Sequence, residues 1–360
     1  MRCPILIELP PPPQGKKGWP WTEESKQLPE TKPDGSPWPL ISIVTPSYNQ
    51  AIFIEETIRS ILLQGYPNLE YIIIDGKSTD NSVAVIQKYK KWLTYWVSEP
   101  DKGQSEAINK GWNKCNGEII AWINSDDFYC INVFELAIKS FTDKSNIDLL
   151  YGDCNCLDKN SNKLGILKNL KFDLRRQMTG RNLILQPSTF FKRKILNKVG
   201  NLDTSLHFVM DYDLWVRILL ANGKFQYIPT ILSNYRVHDE AKSIASQFQV
   251  KLEIKKVLDR IYQGKSVPDI IRPWKRKAYS NFHRSVGEAY LINGQRALAR
   301  KEFLQAIFQK PFQPGIAIML SYLLDTWLGT NVGIFMQRLG WRLRNDNENN
   351  KLWEKIIRDY

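Results

Sequence analysis

Leu40-Ile41-Ser42-Ile43-Val44-Thr45-Pro46-Ser47-Tyr48-Asn49 decides the fold. Its short β-branched run stops at a proline and continues into polar residues, the pattern of a buried strand that ends in a loop. Working outward, Ile54, Ile58, Ile61 and Leu62 recur at helical spacing until Pro67 stops the helix, and Tyr71-Ile72-Ile73-Ile74 forms a second apolar run. Residues 82–89 read as a helix, Tyr95-Trp96-Val97-Ser98 as a third strand, 104–114 as a helix, and Ile119-Ile120-Ala121-Trp122-Ile123 as a fourth strand. Alternation of this kind with short links implies right-handed crossovers and a mostly parallel α/β sheet with helices on both faces. In such sheets ligands sit beyond the carboxyl ends of the strands.

The residues at those ends carry chemistry. The first strand runs into Thr45-Pro46-Ser47-Tyr48-Asn49, the second into Asp75-Gly76-Lys77-Ser78-Thr79-Asp80, the third into Glu99-Pro100-Asp101-Lys102-Gly103 and the fourth into Asn124-Ser125-Asp126-Asp127. Singly, Asp75 and Asp80 read equally well as turn formers or helix caps, and Asp101-Lys102-Gly103 as a β-turn. Gathered at one edge, they supply several carboxylates, a tyrosine and a lysine. No Walker loop and no GxGxxG follows the first strand, so phosphate would be held another way. The doublet Asp126-Asp127 offers hard oxygen ligands for Mg²⁺ or Mn²⁺, and such a cation would neutralise a leaving diphosphate.

Composition sets the outer limits. The 360 residues are 43% hydrophobic and 24% charged, which fits a folded protein rather than a disordered one. Net charge is +13, unevenly spread: residues 1–245 carry 30 Lys and Arg against 27 Asp and Glu, and residues 246–360 carry 20 against 10. No zinc-finger or RNA-binding signature accompanies the basic region, so nucleic acid is not expected as a partner. The five cysteines (Cys3, Cys115, Cys130, Cys154, Cys156) include no CxxC, which points to a reducing, cytoplasmic setting. Glu8 and the prolines around it argue against a signal peptide. Residues 1–39, rich in Pro and Trp, read as an extended arm whose tryptophans staple it to the main body.

Taken together, these motifs resemble the family 2 glycosyltransferases, inverting enzymes of the GT-A fold. The resemblance covers roughly residues 40–245. It rests on Ile43 to Asn49, Ile74 to Asp80, Asn124 to Asp127, Met210-Asp211-Tyr212-Asp213-Leu214-Trp215, and Tyr235-Arg236-Val237-His238, in the family's order. It implies that Tyr48 stacks on a nucleotide base in a pocket shaped by Thr45 and Pro46, with Asn49 and Lys102 at the same donor site. Asp75 would accept from the base, Asp126 would lie at the ribose or sugar, and Asp127 would ligate the metal together with His238. Asp211 would be the general base, with Met210 standing where the family usually has Glu and Asp213 as the rival. The reaction implied is transfer of a hexose from a nucleoside diphosphate sugar, UDP-sugar favoured, to a glycan or lipid-linked acceptor in polysaccharide or cell-envelope synthesis, with Mn²⁺ or Mg²⁺. A nucleotidyltransferase usually places a Gly-rich basic loop after its first strand, which this chain lacks. A decayed binding module is disfavoured by the presence of Asp75, Asp126, Asp127 and Asp211.

Residues 246–360 read as a separate helical, basic region. Gly287, Tyr290, Gly294, Ala299, Phe303, Ala306 and Pro311 match the spacing of one tetratricopeptide-like repeat. The apolar stretch 315–336 reads as an amphipathic or buried helix pair rather than a membrane span. With Trp341, Arg342, Arg344, Trp353 and Lys355, this end is the candidate for peripheral contact with the inner face of the cytoplasmic membrane.

Overall fold

A computed structural model of the chain describes residues 1–143, 146–169, 172–238, 247–264, 267–312 and 316–330. Trp341, Arg342, Arg344, Trp353 and Lys355 lie outside the described residues. Contacts divide the chain into two compact units, Met1–Phe172 with Ile184–Val237, and Asp173–Leu183 with His238–Tyr360.

The first unit is built on β1 (Ile41–Ser47), α1 (Ile54–Leu62), β2 (Leu69–Asp75), α2 (Ser82–Tyr89), β3 (Tyr95–Ser98), α3 (Gln104–Trp112) and β4 (Ile119–Trp122). After these come β5 (Phe128–Tyr129), α4 (Val133–Asp143), β6 (Leu149–Leu157), β7 (Lys163–Leu167), β8 (Thr189–Lys192), α6 (Arg193–Val199), α7 (Met210–Leu220) and β9 (Phe225–Arg236). Leu174–Met178, α5, falls in the second unit. One nine-stranded sheet runs β3-β2-β1-β4-β8-β6-β9-β5, with β7 beside β6. β3, β2, β1 and β4 pair in parallel; β8 is antiparallel to β4 and β6, and β9 is parallel to β6. The sheet is therefore mixed and mostly parallel, as the alternating pattern predicts.

Strand alternation sorts the side chains. Ile41 and Ile43 of β1, with Tyr71, Ile73, Ile119 and Ala121, join Ile54, Ile58 and Ile61 of α1 and Val85, Ile86 and Tyr89 of α2 in one buried cluster. The opposite face receives α3. Its Gly111 permits close approach: a Cβ there would stand 2.4 Å from Val44 Cγ1. On that same face Trp122 sits 5.5 Å from Trp112, 6.1 Å from Phe191 and 5.7 Å from Trp215, so α3, the sheet and α7 share one aromatic layer.

The Pro/Trp-rich arm packs onto the unit. Cys3, Trp21 and Leu28 are buried. The amides of Cys3, Ser25 and Leu28 donate to the carbonyls of Tyr66, Leu63 and Gly65, and the Trp19 indole donates to Tyr129 O at 2.8 Å. Arg59 of α1, wholly buried, satisfies the arm's carbonyls at Pro10, Pro20 and Trp21.

In the second unit, α8 (Gln247–Gln263) is followed by α9 (Lys275–Ile292), α10 (Arg296–Gln309) and α11 (Ile316–Leu328). The repeat-like spacing corresponds to an antiparallel pair: Gly287 of α9 lies against the Phe303 ring, and Ser280 Oγ donates to Ala306 O. Phe303 stacks on Tyr322 of α11 with centroids 5.1 Å apart. Among the described residues no helix is long and apolar enough to cross a membrane.

A polar knot locks the amino edge of the sheet. Glu70 accepts from Ser42 Oγ (2.5 Å), the Asn116 amide nitrogen (2.7 Å) and Asn116 Nδ2 (2.8 Å), while Gly117 N donates to Ser42 Oγ. Burial alone would raise the Glu70 pKa, but these donors outweigh it and hold the carboxyl below its ordinary value. A lowered folded-state pKa contributes stability that is present above the unfolded-state pKa and lost as pH falls through the folded one. Glu70→Gln should therefore be less stable than wild type at pH 7, by about 1–2 kcal/mol. The gap should close as pH falls below the carboxylate range; urea melts of both proteins across pH 3–7 would read it.

Candidate active site

In-register pairing brings the strand ends level: Ser47 lies opposite Asp75, and Asp75 opposite Ser98. Asp75, wholly buried, accepts from Ser78 N (2.9 Å), Ser78 Oγ (2.5 Å) and Ser98 Oγ (2.7 Å). A carboxylate has about four acceptor positions, so capacity for one more donor remains. The loops after β1 and β2 are laced together. Thr79 N donates to Asn49 Oδ1, Asn49 N to Ser78 Oγ, Gln50 N to Ser82 Oγ and Ala51 N to Asp80 Oδ2. Asn49 thus spends its side chain and its left-handed backbone (φ 52°) on shaping the loop.

Tyr48 is 62% exposed at this edge, an aromatic ring with no packing reason to be there. Its neighbour is Gly76, where a Cβ would stand 2.9 Å from Asp101 Oδ2 and 3.3 Å from Tyr48 Cδ2. Tyr48, Gly76 and Asp101 therefore line one narrow slot. Thr45, expected at its wall, is instead wholly buried with Oγ1 3.2 Å from the Tyr71 hydroxyl, because it shares the core-facing side of β1 with Ile41 and Ile43. Pro46 is buried as well, and Lys102 is exposed with its amide on Glu106.

The third and fourth loops join this edge through α3. Gln104 Nε2 donates to Asn124 Oδ1 at 2.5 Å. Gly103, at φ +119°, faces His207, whose Nδ1 would lie 3.3 Å from a Cβ there. Ser105 Oγ donates to Leu206 O, and Asn109 exchanges two hydrogen bonds with Leu202. The segment leading into α7 is thereby pinned onto α3. His207 carries no motif and was not singled out from the sequence.

The two adjacent aspartates differ sharply. Asp126 is half-buried. Asp127 is 1% exposed; its Oδ1 accepts from Arg236 N at 2.9 Å, and its Oδ2 is buried with no hydrogen-bond partner. Burial, then the neighbouring Asp126 charge, push the Asp127 pKa well up, against the pull of Arg236. His238 is buried two residues beyond β9 and falls in the second unit. Among the described residues no group of three or more His, Cys, Asp or Glu is placed to hold a metal ion by itself. Mg²⁺-type sites, however, commonly use one or two carboxylates and take the rest from phosphate and water. An orphaned carboxylate oxygen beside a half-buried carboxylate fits such a partial set.

Asp211 and Asp213 also separate. Asp211 is half-buried in the first turn of α7 and accepts from Tyr212 N at 2.7 Å. Asp213 is 1% exposed and bound to Arg217 Nε at 2.8 Å, and Arg217 in turn donates to the carbonyls of Val199, Gly200 and Asn201. Asp213 is committed to holding α6, α7 and the intervening loop. Asp213→Asn should cost about 1–3 kcal/mol in denaturant melts, more than Asp211→Asn, whose amide oxygen can still accept from Tyr212 N. Equal losses would contradict this division.

Residues 42–200 match the family model described as glycosyl transferase family 2. An uncharacterized glycosyltransferase of Rickettsia typhi is 30% identical over 213 residues, 56% of this chain and 65% of the relative. One from Methanocaldococcus jannaschii is 29% identical over 207 residues, covering 55% and 71%. A Rickettsia conorii relative is matched over 35% of its length, so the chain spans between about a third and two thirds of several relatives. Among solved structures, S. aureus TarS in complex with UDP has a TM-score of 0.50 at 17% identity, covering 81% of this chain and 92% of that one. The mannosyltransferase PcManGT of Pyrobaculum calidifontis, in complex with GDP-Man and Mn²⁺, has a TM-score of 0.53 at 18% identity, covering 81% and 86%. At these identities the likeness concerns the fold, a GT-A sheet. Through residues 42–200 the chain is thus similar to glycosyl transferase family 2.

Proposed function

We propose that the protein is an inverting glycosyltransferase that moves a sugar from a nucleoside diphosphate sugar to a hydroxyl of a glycan or lipid-linked acceptor. The observation that carries this reading is the convergence of the loops after β1, β2, β3 and β4 with the start of α7. Tyr48 and Asp101 both lie against Gly76, Gln104 reaches Asn124, and Gly103 meets His207. Structural neighbours described with UDP and with GDP-Man and Mn²⁺ support the same donor class. A UDP-sugar is the first donor to try.

In this reading the base lies in the Tyr48 slot and donates an N–H to Asp75, whose other contacts hold it oriented. Asp126 and Asp127 face the ribose and diphosphate side. A divalent cation held there, Mn²⁺ or Mg²⁺, supplies charge neutralisation for the departing diphosphate. Asp211 accepts the acceptor hydroxyl's proton. The hydroxyl oxygen then forms its bond to the anomeric carbon from the face opposite the diphosphate, whose C–O bond breaks with its electron pair. A single carboxylate base suffices for inversion, and the half-buried Asp211 suits the task better than the ion-paired Asp213.

Asp211→Asn retains size and hydrogen bonding but cannot take the proton. It should leave donor affinity nearly unchanged and lower turnover by about 10²–10⁴-fold. Tyr48→Ala should do the reverse, weakening nucleotide binding by roughly 1–3 kcal/mol with an unchanged melt, since the ring is exposed. Calorimetry with UDP and GDP, together with a nucleotide-sugar turnover panel, measures both. Normal turnover in Asp211→Asn would move the base elsewhere.

The helical unit offers a surface of its own. Phe308, Phe312, Leu324, Trp327 and Leu328 are exposed along α10, α11 and the link between them, with exposed Arg296 and Lys301 on α10. Apolar side chains beside basic ones fit the surface of an anionic bilayer, and we assign this unit an accessory, peripheral membrane role. Phosphatidylglycerol vesicles should sediment the full chain more strongly than phosphatidylcholine vesicles, and Phe308→Ser with Trp327→Ser should abolish the difference. Equal recovery with both lipids would refute the assignment.

A further inference from the structure

Beneath the Asp126-Asp127 loop lies a buried ion pair that the proposed chemistry has not yet used. Arg236, at the end of β9, has a side chain with no solvent exposure, 2.7 Å from Glu56 Oε2 of α1. Phe53 and Phe128 lie against the guanidinium, with ring centroids 4.6 and 5.4 Å away. Ser161, in the β6–β7 turn, bonds to both partners: it receives from Arg236 at 3.0 Å and donates to Glu56 at 3.3 Å. Three segments far apart in sequence thus meet at one buried charge pair.

What this pair grips is the acidic loop. Arg236 Nη1 donates to Asp126 O at 2.5 Å, and Arg236 N donates to Asp127 Oδ1 at 2.9 Å. The residue beside Glu56, Thr57, donates its hydroxyl to Ser125 O (3.0 Å) and Asp127 O (2.7 Å). Each carbonyl from Ser125 to Asp127 is therefore held by α1 or by Arg236, and one carboxylate oxygen is held besides. Stability alone does not call for this arrangement, because a buried ion pair can usually be replaced by apolar residues of similar volume at little or no cost. Its distinctive product is a fixed direction for two adjacent carboxylates.

We propose that Arg236, with Glu56 as its counter-ion and Ser161 as their shared bridge, is a positioning residue that sets the Asp126-Asp127 loop for a divalent cation and the diphosphate it neutralises. This rests on the glycosyltransferase reading for the identity of the ligand. Partners behind metal ligands typically govern affinity by 10–100-fold. The guanidinium acts through the loop and touches neither sugar nor base.

The test measures UDP and GDP affinity of the full chain by calorimetry, once with Mn²⁺ and once with EDTA, using whichever nucleotide binds tighter. Mn²⁺ binding in the presence of that nucleotide is followed by electron paramagnetic resonance. Arg236→Lys and Glu56→Gln should lower the Mn²⁺-dependent gain in affinity by about tenfold or more. Their affinity in EDTA, which reports the Tyr48 and Asp75 end of the site, should stay within about twofold of wild type. Ser161→Ala, a milder change, should fall between, and it and Glu56→Gln decide the matter if Arg236→Lys fails to fold. Variants that lose affinity equally in Mn²⁺ and EDTA, in step with a lowered melting temperature, would show a merely structural pair and overturn the proposal. Variants with an unchanged Mn²⁺ gain would overturn it too. A wild-type protein indifferent to Mn²⁺ would instead remove the metal reading itself, and this assignment with it.

Discussion

Level strand ends are the constraint on which everything else depends. Because β1, β2 and β3 pair in parallel with Ser47, Asp75 and Ser98 in one row, the polar residues that follow each strand emerge at one height. The hydrogen bond from Ser98 Oγ to Asp75 fastens that row at the rim itself. A one-residue slip in any pairing would turn Asp75 to the other face and destroy the slot beside Tyr48. The Glu70 knot at the amino edge and Gly111 against Val44 are the devices that hold the register and the crossover helix in place.

The second constraint is aromatic. Trp122 ends β4, four residues before Asp126, and Trp215 lies one turn beyond Asp211. Their rings stack at 5.7 Å with 26° between planes. One contact therefore ties the carboxylate doublet's strand to the helix that carries Asp211. Phe191 and Trp112 complete the layer by edge-on contacts. The site is thus assembled on the sheet and two helices rather than on loops alone, which suits chemistry that tolerates little displacement.

The legible part of the sequence was the part with local, periodic signals. β1 to β4 are apolar runs separated by turn residues, and each reads on its own. The later strands do not. β6 and β9 pair with register shifts around Asp153, and Pro229 sits inside β9, so neither shows clean alternation. The segment Asp173–Leu183, which packs with the helical unit, breaks the catalytic sheet's sequence without any compositional mark. At the site, the carboxylates were visible because they follow strands. Thr45 was misplaced because its proximity to Tyr48 in sequence hides the strand alternation that points it inward. Arg236 and Glu56, 180 residues apart, announce their pairing nowhere in the sequence. Only a charged side chain buried at the end of β9 reveals it.

The most direct measurement is a crystal structure of the full chain grown with UDP and Mn²⁺, with anomalous diffraction collected at the manganese edge. The account predicts an anomalous peak bonded to an Asp126 or Asp127 carboxylate and the diphosphate, with the uracil against Tyr48 and its N–H on Asp75. Nucleotide bound away from the carboxyl ends of β1, β2 and β4, or manganese bound away from the Asp126-Asp127 loop, would contradict it.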